Sequence, residues 1–144
     1  MTLKTGDTIT VKGVTYRVTN AEAKTAEAYG VVNKSQKHIE VAATVKIKGN
    51  TCKVTAIADQ AFAGMKKATK AVIGKNVSKI GKKAFYGDSR LKSITVKGKK
   101  LKMVGKQALK GINKHAVVRV PKAKKKAYKE LFKGKGQKKS VKVK

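Results

Sequence analysis

Near the start of the chain, apolar and polar side chains alternate in two matching stretches. Val11-Lys12-Gly13-Val14-Thr15-Tyr16-Arg17-Val18-Thr19 is paralleled 36 residues later by Ile47-Lys48-Gly49-Asn50-Thr51-Cys52-Lys53-Val54-Thr55. Alternation with period two predicts strands with one buried face. The two-residue centres, Gly13-Val14 and Gly49-Asn50, predict tight β-hairpins, with Gly supplying the positive φ of a primed turn. Two more strands are expected at Ala26–Val32 and His38–Val41, separated by the polar turn Asn33-Lys34-Ser35-Gln36-Lys37.

From residue 57 a longer period takes over. Ile57-Ala58-Asp59-Gln60-Ala61-Phe62-Ala63-Gly64 is matched by Ile80-Gly81-Lys82-Lys83-Ala84-Phe85-Tyr86-Gly87 and by Val104-Gly105-Lys106-Gln107-Ala108-Leu109-Lys110-Gly111, at spacings of 23 and then 24 residues. The register holds downstream, where Ile94 and Val96 match Ala71 and Ile73 in one copy and Val118 and Val120 in the other. Each copy reads as a short turn or helix followed by a strand. A unit this small cannot bury its own apolar face, and stacking the copies does so. Strands near 70–73, 93–96 and 117–120 are therefore expected side by side and parallel, each reached by a crossover. Ile80, Ala84, Phe85, Leu91, Ile94 and Val96 are expected in the core.

After Pro121, the only proline, the period changes again. Ala123, Ala127, Tyr128, Leu131 and Phe132 form a helical stripe, with Gly134 and Gly136 beyond its end. Such a helix, laid over the last repeat, would cover its open edge. Val141 and Val143 alternate with lysines, which favours a short edge strand over a frayed tail.

The pattern Ile-Gly-x-x-Ala-Phe-x-Gly followed by Leu-x-x-Ile-x-Val resembles the BspA-type leucine-rich repeats of bacterial surface proteins. The resemblance covers about residues 38–133 and is strongest over 77–100. It includes the hairpin from Ala43-Thr44-Val45 to Val54-Thr55-Ala56-Ile57 and the Val-Pro-Lys segment before the lysine-rich helix. Departures are Ala58 in a Gly slot, Ala68 and His115 in a Leu slot, and Leu109 for Phe. Repeats and resemblance together give a β-rich α/β repeat fold: a short right-handed leucine-rich-repeat solenoid with an N-terminal β-hairpin cap and a C-terminal helical cap. Residues 1–56 would form the cap and a leading half-repeat. The repeats follow at 57–79, 80–103 and 104–120, and 121–144 carries the helix and a basic tail. The resemblance implies secreted or wall-attached proteins used for adhesion or interaction, with no enzyme activity, cofactor or catalytic residue.

The 144 residues carry 37 Lys and Arg against 7 Asp and Glu, a net charge of +30. Residues 1–72 hold net +7 and residues 73–144 net +23; only Arg17, Arg90 and Arg119 are arginines. Lysine is a hydrated point charge, whereas arginine is the usual bidentate reader of bases and phosphates. The charge therefore fits diffuse attraction to a polyanion, or a solubilising coat, better than sequence-specific DNA reading. Apolar residues at 40% argue against a disordered tail. No apolar run spans a bilayer, and the start MTLKTGDTIT has no signal-peptide core. Export is expected if a leader was removed, and a cytoplasmic location if the chain is full length.

Candidate chemistry is sparse. Cys52 could pair with His38 or His115 as nucleophile and base. Its alignment with Tyr16 makes a buried, inert thiol the expectation, and His115 is expected to be packed or partly buried. The seven carboxylates have no paired spacing for acid/base work, and Asp88 reads as a turn or capping residue. Phe62 and Phe85 read as core, Tyr16 and Tyr128 as packing residues, and Tyr86 as pointing outward. No metal-ligand spacing and no phosphate-binding loop is present. The candidate binding residues are Lys97, Lys99, Lys100, Lys122, Lys124, Lys125, Lys126 and Arg119, directed at an anionic polymer: an acidic glycan, a teichoic acid or non-specific nucleic acid. A protein partner is the other possibility. Without a polyanion, a ligand would be sought on the outward strand positions around Glu40, Thr95 and Arg119. The expected function is a non-enzymatic interaction or adhesion module, with a basic nucleic-acid-binding protein as the alternative.

Overall fold

The computed structural model describes residues 2–144. Twelve strands build two sheets. Strands β1 (Thr8–Val11), β2 (Val14–Asn20), β3 (Thr25–Val31), β6 (Asn50–Ile57), β8 (Lys79–Ile80) and β10 (Met103–Val104) run in that order across the first sheet, with β5 (Thr44–Ile47) also paired to β6. The second sheet has the order β12 (Lys142–Val143), β11 (Val117–Arg119), β9 (Ser93–Val96), β7 (Lys70–Ile73), β4 (His38–Val41). Every pairing in the second sheet is parallel. The chain passes repeatedly from one sheet to the other, which makes a β-solenoid with the core between the sheets. Ile80, Ala84, Phe85, Leu91, Ile94 and Val96 are all buried in it, and Phe62 stacks on Phe85 with ring centroids 5.6 Å apart.

The two hairpins form as the alternation predicts, but their turns sit one residue earlier. Val11 pairs with Val14 and Ile47 with Asn50, so the centres are Lys12-Gly13 and Lys48-Gly49. Both residues of each turn have positive φ, 49° and 80° in the first and 50° and 77° in the second, as a type I′ turn requires. The shift leaves Val14 free to enter the core, where it is fully buried. Tyr16 is buried too, and its hydroxyl ties the first hairpin to the solenoid by accepting from Ala42 N–H at 3.0 Å and donating to the Glu40 carbonyl. The third strand begins at Thr25 and ends at Val31, one residue earlier at each end than expected, and the fourth is His38–Val41 as expected.

Backbone ladders also join the turns of successive coils. Phe62 N–H donates to Ala84 O, Phe85 N–H to Ala108 O, and Leu109 N–H to Lys135 O, at 2.9, 2.9 and 3.0 Å. Lys135 thus occupies the slot of Ala84 and Ala108. Residues 134–143 continue the solenoid as a shortened coil that ends in β12, the edge strand beside β11. The coils touch backbone to backbone at the Gly slot. A Cβ on Gly81 would lie 2.5 Å from Asp59 N, and one on Gly105 2.5 Å from Lys82 N. Ala58 is tolerated in the first copy because the neighbour there is the hairpin strand β3, reached by Ala58 N–H to Ala28 O at 2.9 Å.

Helix α1 (Lys125–Phe132), preceded by a 3-10 turn at Lys122–Lys124, lies between β11 and the shortened coil. It is held by Tyr128 and Phe132, both buried, with Leu131 half-buried. The buried Tyr128 hydroxyl donates to Gly98 O at 2.9 Å and accepts from Leu101 N–H at 3.1 Å. Ala123 and Ala127, expected on the apolar stripe, are exposed. Eight helical residues give room for one narrow contact face, and the tyrosine and phenylalanine fill it.

Two single-residue expectations are corrected. His115 is exposed, and Ala116 is buried beside it. The Asn113 side chain accepts His115 N–H at 2.8 Å, so this loop shifts the core slot by one residue and turns the imidazole outward. Asp88 is no simple cap: its carboxyl is fully buried, and Oδ1 accepts Met65 N–H from the preceding coil at 2.8 Å.

Candidate functional site

A solenoid of two sheets has two long edges, each made of the connections between them. One edge carries the turns that lead into the second sheet, with Lys82, Lys106, Lys110 and Lys114 exposed. The other carries the connections leaving it: residues 42–43, 74–78 and 97–102, then the 3-10 turn and α1. Lys97, Lys99, Lys100, Lys122, Lys124, Lys125 and Lys126 all fall on this second edge, and all except the half-buried Lys124 are exposed. The Tyr128 hydrogen bonds at Gly98 and Leu101 dock the helix on the same loop that holds Lys97, Lys99 and Lys100.

Arg119 is separate from them. It stands on the outward face of the second sheet, in register with Thr95, which in turn pairs with Val72 and through it with Glu40. Its Nη1 donates to Ser93 Oγ at 3.1 Å. Glu40 is held by Lys12 at 3.0 Å, and that ion pair, aided by the nearby Lys97 charge, lowers its pKa. The outward strand positions thus form a small mixed-charge row.

Two adjoining depressions run along the lysine edge and share Lys75 and Lys97. One, of about 430 Å³, reaches back to Glu40 and Ala43; the other, of about 620 Å³, extends over Thr44, Lys53, Asn76, Lys99 and Lys100. Their floor is backbone, because Gly74 and Gly98 carry no side chain and both are buried. A Cβ on Gly98 would collide with the Lys75 carbonyl oxygen, and one on Gly74 would lie 2.7 Å from the backbone of Ala42 and Ala43. The coils thus pack backbone to backbone beside the groove. Asn76 is buried beneath it, its Nδ2 donating to Ala43 O at 3.0 Å and its Oδ1 accepting from Lys100 Nζ at 3.2 Å. Sequence reasoning from lysine runs missed Lys53 and Lys75, which stand alone in the chain. Lys75 could have been found from the repeat alignment, since it falls 23 residues before Gly98.

The charge on this edge is not neutralised within the chain. The ion pairs among the described residues are Lys12–Glu40, Arg17–Glu27 and Lys48–Asp7, all in the N-terminal half. The C-terminal half has two carboxylates, Asp88 and Glu130, and Asp88 is buried with its pKa pushed up to about 8 by loss of solvation. A larger depression of about 820 Å³ lies between α1 and β12, over Phe132, Val141 and Val143, with Lys129, Lys133 and Lys142 around it.

Catalytic candidates do not assemble. Cys52 is fully buried, which raises its thiol pKa, while His38 and His115 are both exposed. Among the described residues no three His, Cys, Asp or Glu side chains gather as a metal site, and no helix is long and apolar enough to cross a membrane. Tyr86 points outward at 38% exposure, with Lys83 and Lys110 nitrogens 5.4 and 6.0 Å from its ring centre.

The fold recurs in solved bacterial proteins. The chain is similar to a leucine-rich cell surface protein from Faecalibacterium prausnitzii A2-165, with a TM-score of 0.63 and 23% identity, over 80% of this chain and 37% of that one. A leucine-rich repeat protein from Bacteroides ovatus ATCC 8483 gives 0.59 and 23%, over 80% and 38%. One from Bacteroides capillosus ATCC 29799 gives 0.70 and 16%, over 96% and 99%. The chain thus spans less than two fifths of the length of the first two. No curated protein matches it. Residues 37–144 match the BspA type leucine rich repeat region in six copies. With the shared Gly slots and the parallel coils, the chain belongs to the BspA-type leucine-rich repeat family.

Proposed function

We propose that the protein is a non-enzymatic interaction module of a bacterial surface or secreted protein, and that it attracts anionic polymers through its lysines. The observation that carries this reading is the unpaired charge of the C-terminal half: net +23 with no ion pair of its own among the described residues. Such a field gathers polyanions and depends on salt. The similarity to a leucine-rich cell surface protein supports the location. The shortage of arginine argues against base reading.

The test is binding across a salt series. Affinity for heparin, for teichoic acid and for random DNA should fall log-linearly with salt concentration. Changing Lys122, Lys124, Lys125 and Lys126 together to Gln should flatten that slope and leave the protein folded, because Tyr128 and Phe132 are the residues that anchor the helix. A preference of about a thousandfold for one nucleic-acid sequence would replace this reading with a sequence-specific nucleic-acid binder. No polyanion binding at physiological salt would leave the lysines as a solubilising coat.

A further inference from the structure

Rows of equivalent residues in a solenoid run along its axis, one step per coil, at the spacing of adjacent strands, about 4.8 Å. The lysine groove crosses one such step, between two successive coils. Lys75 comes from one coil, and Lys97, Lys99 and Lys100 come from the next. Gly74 and Gly98 line it where successive coils pack backbone to backbone. We propose that this groove seats a linear acidic polysaccharide, its carboxylate or sulfate groups paired with Lys75 on one coil and with Lys97, Lys99 and Lys100 on the next. The proposal rests on the polyanion reading above and adds a place and a ligand class.

Three features favour a polysaccharide over a nucleic acid in this groove. No aromatic side chain lines it, whereas single-stranded nucleic acid is held largely by base stacking on aromatics. Its cations are all lysines, which take carboxylate and sulfate as point charges and do not read base edges. Thr44 adds an exposed hydroxyl of the kind that suits hydroxyl-bearing sugars. At one end the groove reaches Glu40, whose carboxylate is already paired with Lys12.

Two charge-matched variants test this. In one, Lys75, Lys97, Lys99 and Lys100 are changed to Gln; in the other, Lys82, Lys106, Lys110 and Lys114 on the opposite edge are changed to Gln. Binding of long heparin chains, of single heparin disaccharides, and of random duplex DNA is measured at physiological salt. Thermal unfolding by circular dichroism shows that both variants remain folded. The groove variant should bind long heparin at least about tenfold more weakly and lose about four from the salt slope, with the opposite-edge variant within about threefold of the parent. Short fragments should bind the parent much more weakly than long chains. Equal losses in both variants would overturn the groove while leaving the polyanion reading in place. DNA that matches heparin in affinity and is lost equally with the groove lysines would overturn the polysaccharide assignment. A parent that binds none of the probes would overturn both readings.

Discussion

Asp88 makes the fold sensitive to pH in an unusual direction. Its side chain is fully buried; Oδ1 accepts Met65 N–H, and Oδ2 has no partner. Burial is the largest effect on it and pushes its pKa up to about 8, against the lowering effects of the Met65 and Gly64 N–H groups and of Lys34 and Lys66. In the unfolded chain the same carboxyl titrates near 3.8. The folded protein therefore holds a proton that the unfolded chain releases as pH rises above about 4. This group's contribution to stability is fully present below that value. It falls by about 1.4 kcal/mol for each pH unit up to about 8 and is flat beyond. Asp88→Asn removes the titration and keeps an oxygen for Met65 N–H. At pH 4 the Asn variant should be no more stable than the parent, since both side chains are neutral and the buried amide carries two unpaired donors against the acid's one. Between pH 4 and pH 7 the difference should shift by roughly 4 kcal/mol in favour of the Asn variant. Urea unfolding of both proteins from pH 4 to 9 measures the difference, in which every other titrating group cancels. A difference that stays constant across this range would refute the reasoning and place the Asp88 carboxylate in contact with water or a cation.

Other outcomes follow from the packing. Phe85→Ala should cost roughly 3–5 kcal/mol, because the ring is fully buried and stacked on Phe62; a loss below about 1 kcal/mol in urea unfolding would contradict its place in the core. Gly98→Ala should cost at least about 2 kcal/mol, since its Cβ would meet the Lys75 carbonyl and the coils would have to part. Gly49→Ala, at a turn with open space around its Cβ, should show the smaller penalty of its 77° φ alone. Cys52 should label with a thiol reagent far more slowly in the native protein than in denaturant, and Cys52→Val should keep both fold and binding. Native labelling at the denatured rate would show the thiol to be accessible.

A repeat array is unusually legible because stacking imposes the same requirement at each copy. Ile80 and Val104, Ala84 and Ala108, and Phe85 and Leu109 recur because each fills one slot between the sheets, and all are buried. The parallel register of β7, β9 and β11 follows from the same spacing. Hairpin existence was equally legible, since the alternation around Gly13 and Gly49 has no other compact solution. The centre of each turn was not, because whether Val14 lies in the turn or in the core depends on what the core accepts.

The sequence by itself determined the fold family, the buried slots of the central repeats and the surplus of lysine, all of which are local or periodic properties. Tertiary structure decided what depends on distances between coils. It took Asp88 from a turn into contact with the preceding coil, turned His115 outward by a one-residue shift of the loop, and used residues 134–143 as another coil. It also gathered seven of the eight candidate binding residues on one edge and left Arg119 on a sheet face. A lysine run reports only that its neighbours in the chain are basic. Lys75, 22 residues from Lys97 in sequence, shares a groove with it because one turn of the solenoid returns the backbone to the same edge.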